Sequence, residues 1–239
     1  MRPCFSPPSG KLLFKKQAQQ LMSELKRWSV PDLMRQMKLS EEKGNETFHM
    51  IQQWGAKKNQ INSAPALFAY IGEAFKALDA DHLKEEEVAY LNKHLFILSG
   101  LYGLLRANDL IEPYRLEMAQ RGVAPEEQSL YHFWRADVEK NMLKQLTKGE
   151  SLLNLASSEY SDLLQAPKLR SIMYTPHFYE KKNGELKSVS VFSKQARGTM
   201  ARWCAVYNIV QPLDIKSFDA LGYQFSSENS DGNELVFIR

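Results

Sequence analysis

Apolar residues in the first half of the chain return every three to four positions, the period of a helix with one buried face. Phe14, Ala18, Leu21, Leu25 and Trp28 form the first such stripe. Ser29 ahead of Val30-Pro31-Asp32 supplies an N-cap, with Asp32 placed for a carboxylate to reach back to the cap. Helical patterning recurs over residues 41–54, 66–78 and 84–98. In the last of these Val88, Leu91, Leu95 and Leu98 make the stripe, and Glu85-Glu86-Glu87 suit the positive end of the helix dipole.

Beyond Met118 the period changes. Residues 131–146 predict one more helix, and Leu152-Leu153-Asn154-Leu155-Ala156 a short strand entering a serine-rich turn. Residues 171–179 and 186–192 alternate as strands do, and Asn183-Gly184 between them is a strong hairpin signal. A basic helix over 194–207 follows, and Leu235-Val236-Phe237-Ile238 predicts a last strand. No internal repeat or long linker divides the chain. The expected fold is a single α+β domain over 1–239, helix-rich in its N-terminal half, with a mixed sheet in its C-terminal half.

Composition adds little direction. The 239 residues carry 31 basic and 28 acidic side chains, a net charge of +3, so any case for a polyanion partner rests on local clustering. The two cysteines, Cys4 and Cys204, lack metal-ligand spacing, so free thiols in a reducing cytoplasm are expected, with neither metal nor cofactor. No apolar run reaches the length of a membrane span, and the N-terminus lacks the apolar core of a signal peptide.

Local clusters carry the chemistry. Gly100 and Gly103 break the helical pattern in Leu98-Ser99-Gly100-Leu101-Tyr102-Gly103-Leu104-Leu105-Arg106, and Pro113-Tyr114-Arg115 follows. Helix, glycine turn and second helix is the layout of a helix-hairpin-helix unit, whose amides hold a backbone phosphate. A plain helix C-cap at Gly100 explains the same pattern. A second cluster is Lys194, Arg197 and Arg202 around Gly198. Cations at a helix start oppose the dipole unless an anion joins them, although a solvated basic face is the simpler account.

Two further stretches are ambiguous. Ser6-Pro7-Pro8-Ser9-Gly10-Lys11 has the residues of a phosphate-touching loop but not the P-loop pattern, and an irregular segment explains it. Asn154, Ser157, Glu159 and Tyr160 sit where a strand's carboxyl end opens a cleft, yet helix capping accounts for the serines. Catalytic signatures are absent: there is no GxSxG elbow, and His49, His82, His94, His132 and His177 are scattered.

Taken together these blocks resemble the bacterial peroxide-stress YaaA family. The resemblance rests on 98–106 with Asp109, on Pro113-Tyr114-Arg115-Leu116-Glu117-Met118, and on Tyr131-His132-Phe133-Trp134. It continues through Asn154-Leu155-Ala156-Ser157 with Glu159-Tyr160, Lys194 with Ala196-Arg197-Gly198, Gly222-Tyr223 with Phe225, and Glu234-Leu235-Val236-Phe237 with Arg239. Two departures stand out. The family opens with an apolar strand into Ser-Pro-Ala-Lys-Thr, whereas here the lysine is displaced to Lys11, and Asn108 replaces a usual proline.

The resemblance implies an α+β domain with a positively charged cleft and a helix-hairpin-helix element. It implies sequence-tolerant binding of double-stranded or branched DNA, and a role in protection from hydrogen peroxide tied to iron-driven damage and DNA repair. The expected phosphate contacts are Gly100, Gly103, Arg106, Arg115, Lys194, Arg197 and Arg202, with Tyr102 or Tyr114 stacking on sugar or an unpaired base. The competing expectation is an enzyme or sensor that takes a small phosphorylated or nucleotide ligand in an Arg/Lys-lined pocket.

Overall fold

The computed structural model describes residues 12–56 and 63–239. Ser6 and Lys11 lie outside the described residues.

The apolar stripes become three helices. In α1 (Lys15–Leu25) the buried face is Ala18, Leu21, Met22 and Leu25. Ser29 then caps α2 (Val30–Met37) in a reciprocal box with Asp32, and Ser40 caps α3 (Glu41–Gln53). A two-residue strand β1 (Ala64–Pro65) leads to α4 (Ala66–Ala69) and α5 (Glu73–Leu78). The single helix expected over 66–78 is split because Tyr70 is extended and Gly72 is the extended N-cap of α5.

The helix expected over 84–98 is also shorter. It stops as α6 (Glu85–His94), and Leu95 turns extended into β2 (Phe96–Ser99), which pairs antiparallel with β3 (Gly103–Arg106). The run Leu95-Phe96-Ile97-Leu98 is apolar at every position, so both periods fit it, and cross-strand pairing decides. The glycine turn therefore joins two strands. The helix-hairpin-helix expected at Gly100–Gly103 is a β-hairpin.

After β4 (Leu110–Ile111), which pairs with β1, the long helix α7 (Leu130–Gln145) runs past the hairpin. The C-terminal half holds β5 (Leu152–Leu153), α8 (Ser158–Ser161), α9 (Pro167–Arg170), β6 (Met173–Lys182) and β7 (Glu185–Lys187). It continues with α10 (Ser190–Val206), β8 (Gln224–Asp231) and β9 (Glu234–Ile238). The strand order is β5-β6-β9-β8, with β7 paired to β6. β6 lies parallel to both β5 and β9, and β8 is antiparallel to β9, so the sheet is mixed. The expected strand over 186–192 ends at Lys187, where α10 begins three residues on.

Three apolar clusters hold these parts. The largest gathers α1, the β2–β3 hairpin and α7 around the fully buried Trp134. A second joins Leu78, Val88 and Leu91 to Ala201 and Ala205 of α10. The third packs Ala196, Met200 and Cys204 of α10 onto Phe178 and Phe237 of the sheet. Helix α10 is thus shared by two clusters. Among the described residues no helix is long and apolar enough to cross a membrane.

Candidate nucleic-acid interface

The hairpin glycines face inward. Gly103 has φ +68°, and a Cβ there would lie 2.7 Å from the Trp134 ring. A Cβ on Gly100 would lie 2.4 Å from the Leu116 carbonyl oxygen. The Trp134 indole donates to the Gly100 carbonyl at 2.9 Å. Both glycines are buried, and Gly103 pairs with Ser99 in the ladder. The close approach that glycine permits is to Trp134 and to backbone, so the phosphate cradle expected there is corrected.

The tyrosines are likewise engaged. Tyr102 is 2% exposed; its hydroxyl accepts from the Trp54 indole at 3.1 Å, and its amide donates to Ser99 Oγ at 2.9 Å. The Tyr114 hydroxyl lies 2.7 Å from both Tyr70 and Ser99 hydroxyls, and its ring meets Tyr102 edge-on at 5.2 Å. Burial pushes the Tyr102 hydroxyl up to about 12 and raises the Tyr70 and Tyr114 hydroxyls well above their ordinary value, so all three stay neutral. Tyr102 has no face left for a base, which corrects its expected stacking role. Tyr70 was not singled out by sequence; its partnership with Tyr114, 44 positions away, leaves no local pattern.

Arg106 and Arg202 act as struts. The Arg106 guanidinium lies 3.9 Å over the Phe96 ring, with Nε donating to Gln145 at 2.9 Å and Nη1 to the Lys93 carbonyl at 3.2 Å. Arg202 Nη1 donates to the carbonyls of Leu78 at 3.0 Å and Asp79 at 2.7 Å, and Nη2 donates to His82 at 3.2 Å. A cation on the last carbonyls of α5 is favourable, so Arg202 ties α10 to the end of that helix. Gly198 has a packing role too, since its missing Cβ would fall on the Ala74 carbonyl of α5.

Three cations remain. Arg115 is exposed beside a small depression lined by Met37, Glu117 and Gln120, and it makes no hydrogen bond or ion pair with any described residue. Lys194 is exposed near Glu73, whose carboxyl is held below its usual range first by Lys76 and then with help from Gln195 and Lys194. Arg197 is half-buried, also without a hydrogen bond or ion pair to any described residue. Burial lowers its pKa with no nearby carboxylate opposing the shift.

The placement of Arg197 follows from the helix. At about 100° per residue, position 197 points between the stripe of Met200 and Cys204 and that of Ala201. Those stripes belong to the two different apolar clusters, so Arg197 lies on the seam between them. Leu155 packs against both clusters. Tyr90 of α6 does so too, so the seam is bordered by α6 and by the loop 154–157 that follows β5.

That loop is organised but not saturated. The Asn154 amide donates to the Tyr174 carbonyl at 2.8 Å, its Oδ1 accepts from Ala156 at 3.2 Å, and its Nδ2 donates to Thr175 Oγ1 at 3.4 Å. Ser157 occupies the N-cap position of α8, yet its hydroxyl makes no capping bond. Capping, which the sequence offered as the reason for this serine, does not occupy it. Glu159 accepts from the Ala119 amide at 3.2 Å, bringing the segment after Arg115 against α8. Tyr160 is half-buried there, its hydroxyl shifted up by burial, with Tyr114 close enough to add to the shift. The structure thus brings the segment after Arg115 against α8, just past the loop 154–157. Arg106, Arg202 and the glycines are engaged within the fold instead.

One polar pair was not legible as such. His177 Nε2 and Glu234 Oε2 meet at 2.5 Å across the parallel strands β6 and β9, a contact set by sheet register. Among the described residues no group of three or more His, Cys, Asp or Glu could hold a metal ion.

Comparison with known proteins bears on this arrangement. A family model described as peroxide stress protein YaaA matches residues 3–229. A UPF0246 protein of Legionella pneumophila (strain Philadelphia 1) is 39% identical over 239 residues, covering 98% of this chain and 93% of its own. A UPF0246 protein of Saccharophagus degradans is 38% identical over 222 residues, with 92% and 87% covered. One from Clostridium perfringens (strain SM101) is 36% identical over 243 aligned positions, with 100% and 94% covered.

Proposed function

This chain belongs to the peroxide stress protein YaaA family, and from that premise we propose that it is a non-enzymatic, sequence-tolerant DNA-binding protein. Its role in this reading is to occupy double-stranded or branched DNA under peroxide stress and limit iron-driven damage. The observation that carries the reading is Arg197, a half-buried guanidinium with no partner among the described residues. Desolvating a cation without an anion is unfavourable, so such a group is held ready for an anion from outside. Arg115 and Lys194 add exposed positive charge, Lys194 one turn earlier on the same helix. Contacts of this kind hold phosphates and leave base identity unread.

The test is a salt titration of affinity for a duplex and for a branched junction. Affinity is expected to fall steeply with added salt, as counterions are released from the neutralised phosphates. Arg115→Ala and Arg197→Ala are each expected to weaken binding and to reduce the log–log salt slope by about one. Binding indifferent to salt, or unaltered in both variants, removes the phosphate-groove reading.

A second reading has one observation in its favour, the recessed position of Arg197. An enzyme or sensor for a small phosphorylated ligand would use such a recess. Displacement of bound DNA by micromolar nucleotide, with turnover of that nucleotide, would select it.

A further inference from the structure

Strand β6 turns one face to α10 and the other away from it. Phe178 packs in the cluster that holds Met200 and Cys204 of α10, so by strand alternation Thr175, His177 and Tyr179 face the opposite way. The parallel register sets Glu234, Val236 and Ile238 of β9 beside them, in that order. Tyr179, Val236 and Ile238 belong to none of the three apolar clusters. The rings of His177 and Tyr179 are near-parallel, 25° apart in plane with centroids at 6.4 Å. Glu234 holds the imidazole by Nε2, an edge atom, so that bond does not cover the face of the ring. Tyr179 is half-buried, and its hydroxyl makes no hydrogen bond with any described residue.

Beyond Tyr179 the strand runs into the β6–β7 hairpin, where residues 181–188 are all exposed. Alternation puts Lys181 on the face of Tyr179, with Lys182 next to it and Lys187 on the return strand. Lys187 pairs with Glu185 at 3.0 Å, whereas Lys181 and Lys182 make no ion pair with any described residue. Glu234, and Asp231 opposite it, stand at the other end of the strands. Positive charge is therefore concentrated at the Tyr179 end of this face. A ring open to one side, followed along the strand by unpaired cations, suits an unpaired base and its phosphates. Every base has a π-face to stack, and lysines neutralise the backbone without reading sequence. Duplex offers no such face, since its bases already stack on one another.

We propose that Tyr179, with His177 beside it, is a stacking platform for an unpaired base of single-stranded DNA, and that Lys181 and Lys182 hold the adjoining phosphates. The platform rests on the DNA-binding reading for its ligand, but it lies on the face of β6 turned away from α10, which carries Arg197. It takes the stacking role that the buried Tyr102 cannot fill. The chain thereby binds single-stranded segments as well as duplex.

The experiment uses the full chain and a short single-stranded deoxyoligonucleotide carrying 2-aminopurine, whose emission drops when it stacks. A labelled duplex of the same sequence is followed by anisotropy. Tyr179→Ala is expected to weaken the single strand about tenfold, the worth of one base–ring stack, and to abolish the drop in emission. Its duplex affinity and denaturant midpoint should stay unchanged. Tyr179→Phe keeps the ring and should keep single-strand binding. Replacing Lys181 and Lys182 together by Ala should reduce the single-strand salt slope by about 1.4. Single-strand affinity and emission unaltered in Tyr179→Ala overturn the platform. Duplex binding with no single-strand binding overturns it too, and leaves the proposed function standing. Single-strand binding that needs Tyr179, with no duplex binding, keeps the platform and removes the duplex reading. Should neither bind, both fall. An oligoribonucleotide bound more tightly than its deoxy counterpart makes RNA the occupant and overturns the proposal as stated.

Discussion

Cys204 sits on the α10 stripe that packs against the sheet, and burial pushes its thiol up to about 12. The thiolate is the reactive form, so a thiol held this far above neutral pH is chemically quiet. In a family tied to peroxide stress this matters, because peroxide sensing by thiol oxidation needs an accessible thiolate. Native protein treated with hydrogen peroxide or iodoacetamide at neutral pH should leave Cys204 unmodified, as read by mass spectrometry, while unfolded protein should react. Sulfenic acid trapped at Cys204 in folded protein would count against this account. Its spacing in the sequence predicted a free thiol; its inertness comes from Met200, Phe178 and Phe237 in the same cluster. Arginines show a similar split. Arg106, Arg115, Arg197 and Arg202 look alike in sequence, and only the carbonyls and rings around each separate strut from free cation.

At the scale of elements, α5 and α10 make the contact that orients the candidate site. A Cβ on Gly198 would lie 1.8 Å from the Ala74 carbonyl oxygen, so the two helices meet backbone to backbone. Gly198→Ala must push them apart or distort α5, and is expected to cost about 3 kcal/mol of stability, seen as a lower denaturant midpoint. An unchanged midpoint would mean that the helices are less tightly apposed. The glycine was legible as a place of close approach, but what approaches is a helix. The same lesson holds in the β2–β3 hairpin, where Gly100 and Gly103 admit Trp134 and the Leu116 carbonyl. Periodicity placed α3 and α7 to within a residue, the first stripe ran on to Trp28 where α1 ends at Leu25, and capping chemistry placed the start of α2. It missed β3, and β8, whose Gln224–Asp231 sequence is largely polar and is strand only because β9 pairs with it.

Across the whole molecule, Arg239 joins parts that sequence keeps far apart. Its Nε lies 2.8 Å from both oxygens of Glu180, its Nη1 donates to the Leu221 carbonyl at 3.1 Å, and its guanidinium sits over the rings of Phe192 and Tyr223. Glu180 also accepts from the Tyr223 hydroxyl at 2.6 Å. The clamp thereby fastens β6, the turn at 220–223 and the first turn of α10, two residues before Lys194. Arg239→Ala leaves Glu180 partly buried without its cation and should cost about 2 kcal/mol, measured by equilibrium unfolding. Tyr223→Phe should cost less, since it removes one neutral donor. If Arg239→Ala proves neutral, the α10 start is held by apolar packing alone.

The sequence by itself determined the α+β class, the long helices, the hairpin at Asn183-Gly184 and the family, because these depend on periodicity, capping and local motifs. It also marked Arg115, Lys194 and Arg197 as basic residues near glycines. Only the tertiary structure decided which cations find partners among the described residues, turned the glycine pair inward onto Trp134, and set Arg197 at the seam between two apolar clusters. Those outcomes depend on desolvation and on partners far away in the chain, and neither leaves a mark on local residue spacing.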